Sequence, residues 1–215
     1  MATAESVSPS IYQLKISLEG IVPQIWRRVL VPSDLPLSKL HIVIQVAMGW
    51  TNSHLHEFLV GRKRYSDPRF GLDELDFGEP IFKEAKVKLS DVAPTPKSTL
   101  RYHYDFGDGW MHKVVIEKRL TPDPVQPAPR CIDGKRACPP EDCGGIPGYD
   151  RLLDILADPH HPEHDEMKEW LEDDFDAEAF DLGATTRELT RLFSRKPRAA
   201  KRTRISIAPG QAAAR

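Results

Sequence analysis

Arg101-Tyr-His-Tyr-Asp-Phe-Gly-Asp-Gly-Trp-Met-His112 holds two alternating stretches that meet at a bend of Gly107, Asp108 and Gly109. Alternation of apolar and polar residues is the period of a half-buried strand, and Gly and Asp supply the backbone freedom of a tight turn. The stretch therefore reads as a β-hairpin with strands over 100–105 and 110–118. A plain hairpin needs its turn residues, but it does not need Asp105, Asp108, Trp110 and His112 so close together. The bend is the first place to look for chemistry.

The same period recurs upstream. Tyr12, Leu14, Ile16 and Leu18 alternate with polar residues, and residues 25–31 read as a second strand beyond a loose turn at Gly20 and Pro23. On that strand Trp26 and Arg28 share one face and Arg27 lies on the other. The period then changes. Leu40, Val43, Ile44, Ala47 and Met48 form a helical stripe, with Ser38 as the expected N-cap and Gly49 as the left-handed C-terminal cap. Strands are expected over 54–60 and 86–89. Residues 120–147, rich in Pro and Gly, promise little regular structure. Helices follow around Tyr149, Leu152, Leu153 and Leu156, from Pro162 with Met167, Trp170 and Leu171 turned inward, and over 186–193. Strands first and helices last argue an α+β fold, a mixed or antiparallel sheet rolled around one main helix. Tyr12, Leu14, Trp26, Leu40, Ile44, Phe58, Tyr104 and Val114 fall on the apolar phase of their elements and are the expected core.

A chain of 215 residues with 40% hydrophobic and 29% charged residues has the composition of a soluble globular protein. No apolar run approaches the length of a membrane span, and residues 1–10 lack the basic and apolar regions of a secretion signal, so a cytoplasmic location is expected. Residues 1–10 read as disordered, 11–193 as one domain with a helical part over 147–193, and 194–215 as a flexible basic tail. The net charge of −2 hides an acidic segment, 158–181, in which Lys168 is the sole Lys or Arg.

Taken in order, Met48-Gly49-Trp50, His54-Leu55-His56-Glu57-Phe58, 104–110, Cys138-Pro-Pro-Glu-Asp-Cys-Gly-Gly145 and Gly148-Tyr149 resemble one bacterial family. It is named after the third open reading frame of a root-inducing plasmid and also labelled the passenger TnpR of an insertion element. The resemblance spans about residues 10–182. It implies an α-β roll carried on plasmids and mobile elements, and no known reaction. The label implies a resolvase, yet the activated Ser in an arginine-rich site that serine recombinases need cannot be picked out of this chain.

Three groups of residues offer chemistry. In a strand His54 and His56 project to one face, and Asp105, Asp108 and His112 would complete the shell of a divalent metal, zinc or another, if the strands are neighbours. The plain alternative is a hydrogen-bonded rim of Trp50, His54 and His56 above a hairpin shaped by Asp and Gly. Cys131, Cys138 and Cys143 offer three thiolates, with His112 or His160 as a fourth ligand, but structural zinc usually uses tighter pairs. Small half-buried thiols are the alternative, and no other cofactor is expected. Glu141 and Asp142 sit between two prolines and two glycines, in place for a cation or partner, or for pairing with Arg27, Arg28 or Arg136. His160, His161 and His164 read as a solvated helix start.

The tail cations Arg195, Lys196, Arg198, Lys201, Arg202 and Arg204 would neutralise phosphates without reading sequence, or serve only solubility. Two classes of function follow. One is a non-enzymatic accessory module contacting nucleic acid or a protein partner, favoured by the tail and the uneven charge. The other is a metal-dependent phosphodiesterase built on His54, His56, Asp105, Asp108 and His112. Neither a His-Glu-x-x-His run, a P-loop nor a Gly-x-Ser-x-Gly elbow is present.

Overall fold

The computed structural model describes residues 9–72, 80–171 and 175–194. Of the disorder expected over 1–10, residues 1–8 lie outside the described residues, as does the basic tail from Arg195 onward, whereas Ser10 is described and its hydroxyl and carbonyl both bond Ser33. Among the described residues the fold is α+β. The strands are β1 (Ile11–Leu18), β2 (Trp26–Pro32), β3 (His56–Val60), β4 (Lys63–Ser66), β5 (Ile81–Lys83), β6 (Thr99–Tyr104), β7 (Trp110–Leu120) and β8 (Arg130–Lys135). They form one sheet in the order β5-β4-β3-β6-β7-β1-β2-β8, antiparallel throughout except for the β4–β5 pair.

The helix α1 (Leu37–Met48) buries Leu37, Leu40, Val43, Ile44, Ala47 and Met48 against the sheet's inner face, where Tyr12, Leu14, Ile16, Phe58, Tyr102, Tyr104 and Val114 are also buried. Each fully buried aliphatic side chain contributes about 1.5–3 kcal/mol through removal from water. Gly49 adopts φ +94° and closes α1 as expected, its N–H donating to the Gln45 carbonyl. The start of the helix differs from expectation: Leu37 is already helical, Pro36 takes the cap position, and Ser38 lies inside the first turn.

Four further elements depart from the sequence reading. Residues 86–89 form no strand; Glu84–Lys86 is a single 3-10 turn and Leu89–Val92 the short helix α2. The run is too short for period to separate strand from turn. β4 and β5 were not anticipated, nor was β8, which pairs with β2 inside the Pro/Gly-rich stretch. Gly134 permits that pairing, because a Cβ there would lie 2.5 Å from the Phe180 ring and 2.9 Å from Cδ of Arg27.

A further departure concerns polarity. Trp26 is half-buried on the open face, whereas Arg27 is 2% exposed on the core side. The face assignment of β2 was right and the choice of which face is buried was not. Arg27 Nε donates to the Ala47 carbonyl at 2.7 Å, and Nη1 donates to the carbonyls of Trp26 and Lys135 at 2.9 Å. A guanidinium there satisfies an orphan carbonyl at the C-terminus of α1 and favours that end of the helix dipole. The Phe180 ring covers it, 3.9 Å away.

Helices α3 (Gly145–Ala157), α4 (His164–Trp170) and α5 (Leu182–Phe193) complete the chain. Met167 and Leu171 pack against the core as expected, but Trp170 is 44% exposed. No helix among the described residues is long and apolar enough to cross a membrane.

Candidate functional site

β6 pairs with β3 on one side and with β7 on the other, so the hairpin lies beside the His56–Val60 strand as expected. Its tip is held from within. Asp105 leaves β6 with φ +53°, and its Oδ1 accepts from the N–H groups of Gly107 at 2.9 Å and Asp108 at 3.3 Å. The Gly109 N–H donates to the Asp105 carbonyl at 2.6 Å, with Gly109 at φ +73°. One oxygen of Asp105 is thereby spent on the turn and Oδ2 is left facing outward from it.

The loop of Glu141 and Asp142 is held against this tip. Gly144 N–H donates to Asp108 Oδ2 at 3.2 Å, and a Cβ on Gly145 would lie 2.6 Å from the Asp108 carbonyl oxygen. Trp50 Nε1 donates to the Pro139 carbonyl at 3.0 Å. Glu141 Oε1 accepts from Thr51 N at 2.8 Å and from the Tyr104 hydroxyl at 3.0 Å. Burial, and then the Glu141 carboxylate, push the Tyr104 phenol well above its ordinary value, so it remains a proton donor. The expected pairing of Glu141 or Asp142 with arginine does not occur. Arg27 takes backbone carbonyls, Arg28 takes Glu117 and Asp133, and Arg136 takes Glu178.

His54 completes the cluster. It lies ahead of β3, because Asn52 at φ +60° turns the chain and the strand begins only at His56. Its Nε2 is 3.2 Å from Asp142 Oδ1, 3.5 Å from Glu141 Oε2 and 3.6 Å from Asp105 Oδ2. None of these contacts has hydrogen-bond geometry, and the atom is buried without a hydrogen-bond partner. His54, Asp105 and Asp142 each offer a ligand atom within 4.8 Å of the other two. Asp105 is buried while Asp142 is exposed, so the cluster is closed below and open above.

The wider constellation expected from the sequence is not assembled. His56 turns into the core, stacks on His41 at 3.5 Å and meets Glu84 Oε2 through Nε2 at 3.0 Å. His41 itself contacts the Tyr102 hydroxyl at 2.7 Å and Asn52 Oδ1 at 2.6 Å, and burial pushes its pKa down to about 3. His112 is wholly buried, with Nδ1 3.2 Å from the Tyr102 carbonyl and a pKa pushed down to about 4 by burial. Trp110 is buried beside it, and Asp108 serves the Gly144 N–H. The reason is local: His54 stands outside the strand, so the two-residue alternation that would align it with His56 does not apply.

The cysteines do not form a metal set either. Among the described residues no group of three His, Cys, Asp or Glu side chains other than His54, Asp105 and Asp142 offers atoms so close together. All three thiols are free. Burial pushes Cys138 and Cys143 up to about 12, which keeps them as thiols. Thr51, which the sequence did not mark out, and Tyr104, expected only in the core, both hold Glu141. His41 also went unmarked, although its i, i+4 spacing from Gln45 puts both on the stripe that reaches the Tyr102 hydroxyl.

The sequence profile described as plasmid pRiA4b ORF-3-like protein matches residues 10–184. The chain is 40% identical over 195 residues to the uncharacterized protein y4hQ of Sinorhizobium fredii, covering 90% of this chain and 97% of that one. The crystal structure of a protein of unknown function, MM3350 from Methanosarcina mazei Go1, is similar with a TM-score of 0.72 and 39% identity. That match covers 84% of this chain and 98% of the other.

Proposed function

The chain belongs to the plasmid pRiA4b ORF-3-like family, and within it we propose that it is an accessory binding module carrying a divalent cation on His54, Asp105 and Asp142. The observation that carries this reading is the His54 Nε2, buried without a hydrogen bond and faced by three carboxylate oxygens at 3.2–3.6 Å. Three carboxylates around one imidazole repel one another unless a positive charge lies among them. Imidazole with carboxylate oxygens suits zinc, manganese or iron better than a thiophilic ion such as copper(I). Glu141, held by Thr51 and Tyr104, supports the charge from the side.

The test is calorimetric titration of metal-stripped full-length protein with zinc and with manganese, followed by metal analysis. Stoichiometric binding that His54→Ala and Asp105→Asn both abolish, while Cys138→Ala retains it, supports the site. Binding unaffected by His54→Ala removes it. Metal-dependent phosphodiester hydrolysis is the second reading, favoured by the exposure of Asp142, which leaves room above the cluster for a metal-activated water. Metal-loaded protein that cleaves bis(p-nitrophenyl) phosphate, with the activity lost in His54→Ala, would favour it over the binding module.

A further inference from the structure

One register row crosses the sheet from β4 to β8. Arg64 stands opposite Leu59, Leu59 opposite Arg101, and Arg101 opposite Lys113. Lys113 stands opposite Ser17, Ser17 opposite Trp26, and Trp26 opposite Lys135. Residues paired in this way project side by side from one face. Their chain neighbours Ile16, Tyr102, His112 and Val114 are buried on the core side, so this row belongs to the open face. Strands are about 4.8 Å apart, which makes Arg101 and Lys113 immediate neighbours and sets Arg64 about 10 Å from Arg101.

Two adjoining depressions on this face, of about 570 and 590 Å³, share Glu19, Arg101 and Lys113. Arg62 and Arg64 border the first, and Lys15 borders the second. Carboxylates on the face are committed: Glu57 to Arg64, Glu19 to Arg101 at 3.3 Å, and Glu117 and Asp133 to Arg28. Arg62, Lys113 and Lys135 have no carboxylate partner among the described residues. The chain as a whole has a net charge of −2, so a cationic face is a local arrangement and not a bulk property.

We propose that this open sheet face binds single-stranded nucleic acid, its phosphates over Arg62, Arg101 and Lys113 and a base against Trp26. The shared residues make the two depressions one groove, longer than a single anion needs and suited to a polymer of anions. Trp26 lies in the same row; Lys15 and Arg28 stand over its ring at 5.1 and 5.0 Å, and a stacking base takes the ring face by displacing the flexible Lys15 ammonium towards a phosphate. Single strands are taken by tracking cations along the backbone and stacking bases on aromatic faces, and sheet surfaces serve this way. A duplex keeps its bases stacked inside and gains nothing from Trp26. The inference does not rest on the cation site, with which it shares no residue.

The experiment is fluorescence anisotropy of the full-length protein with a labelled oligothymidine and with a duplex of equal length, across a salt series. Tighter binding to the single strand is expected. Arg101→Gln and Lys113→Gln should each flatten the slope of log affinity against log salt by about 0.7. Trp26→Ala should weaken single-strand binding about tenfold. A chain with the six clustered tail cations, Arg195, Lys196, Arg198, Lys201, Arg202 and Arg204, changed to Gln should still lose affinity on Lys113→Gln. Arg101 and Lys113 are exposed, and an unchanged urea midpoint shows that the variants fold. Unchanged affinity and slope in both Gln variants overturns the proposal. So does equal or tighter binding to the duplex, and so does no binding by the wild-type chain.

Discussion

Acidification to about pH 5 should remove about 4 kcal/mol of folding stability through two buried histidines. Burial holds His112 at about 4 and His41 at about 3, against an ordinary 6.5. Both folded-state values are depressed. The stability tied to them is therefore complete above 6.5 and is lost as pH falls from 6.5 towards 4 for His112 and towards 3 for His41. At about pH 5 each unfolded imidazole has gained a proton that its folded counterpart refuses, across about 1.5 units at about 1.4 kcal/mol per unit, or about 2 kcal/mol apiece. Against a typical total of about 5–15 kcal/mol, that is a large share. His112 isolates the effect, because its Nδ1 bonds the Tyr102 carbonyl and its Nε2 meets no partner among the described residues. His112→Gln keeps a donor for that carbonyl and cannot charge. The assay is urea unfolding followed by tryptophan fluorescence at about pH 7.5 and about pH 5, in wild type and variant, read as a difference so that carboxylate contributions cancel. The variant should lose about 2 kcal/mol less than wild type on acidification. Equal losses in the two proteins, or no loss in wild type, would refute the reasoning.

Leu40→Ala and Ile44→Ala should each cost about 2–5 kcal/mol in urea unfolding, since both side chains are wholly buried between α1 and the sheet; a loss below about 0.5 kcal/mol at both positions would mean that α1 does not pack this way. Gly145→Ala should destabilise by about 1–3 kcal/mol, because φ is +69° and the new Cβ would meet the Asp108 carbonyl at 2.6 Å. The same change should weaken cation binding at His54 in calorimetry, as it separates the Asp142 loop from the hairpin tip; unaltered affinity would show that the loop contact does not position the cluster. A chain ending at Ser194 should bind nucleic acid more weakly and with a shallower salt dependence than the full chain if the tail neutralises phosphates, and identical titrations would remove that role for Arg195 to Arg204.

The hairpin of 100–118, the long stripe of α1 and the strand of Tyr12, Leu14 and Ile16 were legible because each holds one period over enough residues to separate helix from strand. Short elements were not. β5 has three residues and β4 four, and β8 carries Gly134 inside a Pro/Gly-rich stretch, so their strand character comes from neighbours and not from their own pattern. The candidate site was legible as composition: His54, Asp105, Glu141 and Asp142 all stood out. Which of them meet was not.

By itself the sequence determined the α+β class, the inward and outward residues along β1, β6 and β7, and the chemical inventory at the hairpin bend. Periodicity and side-chain chemistry are local properties, carried by consecutive residues. Tertiary structure alone decided that Asp142, 37 residues beyond Asp105, would stand beside it, while His56, two residues from His54, would turn away into the core. It also decided that Arg27 would be buried in place of Trp26, because only the assembled fold brings the open carbonyl of Ala47 within reach of a guanidinium. Convergence of side chains depends on how strands pair and loops dock, and that energy belongs to contacts between residues far apart in the chain.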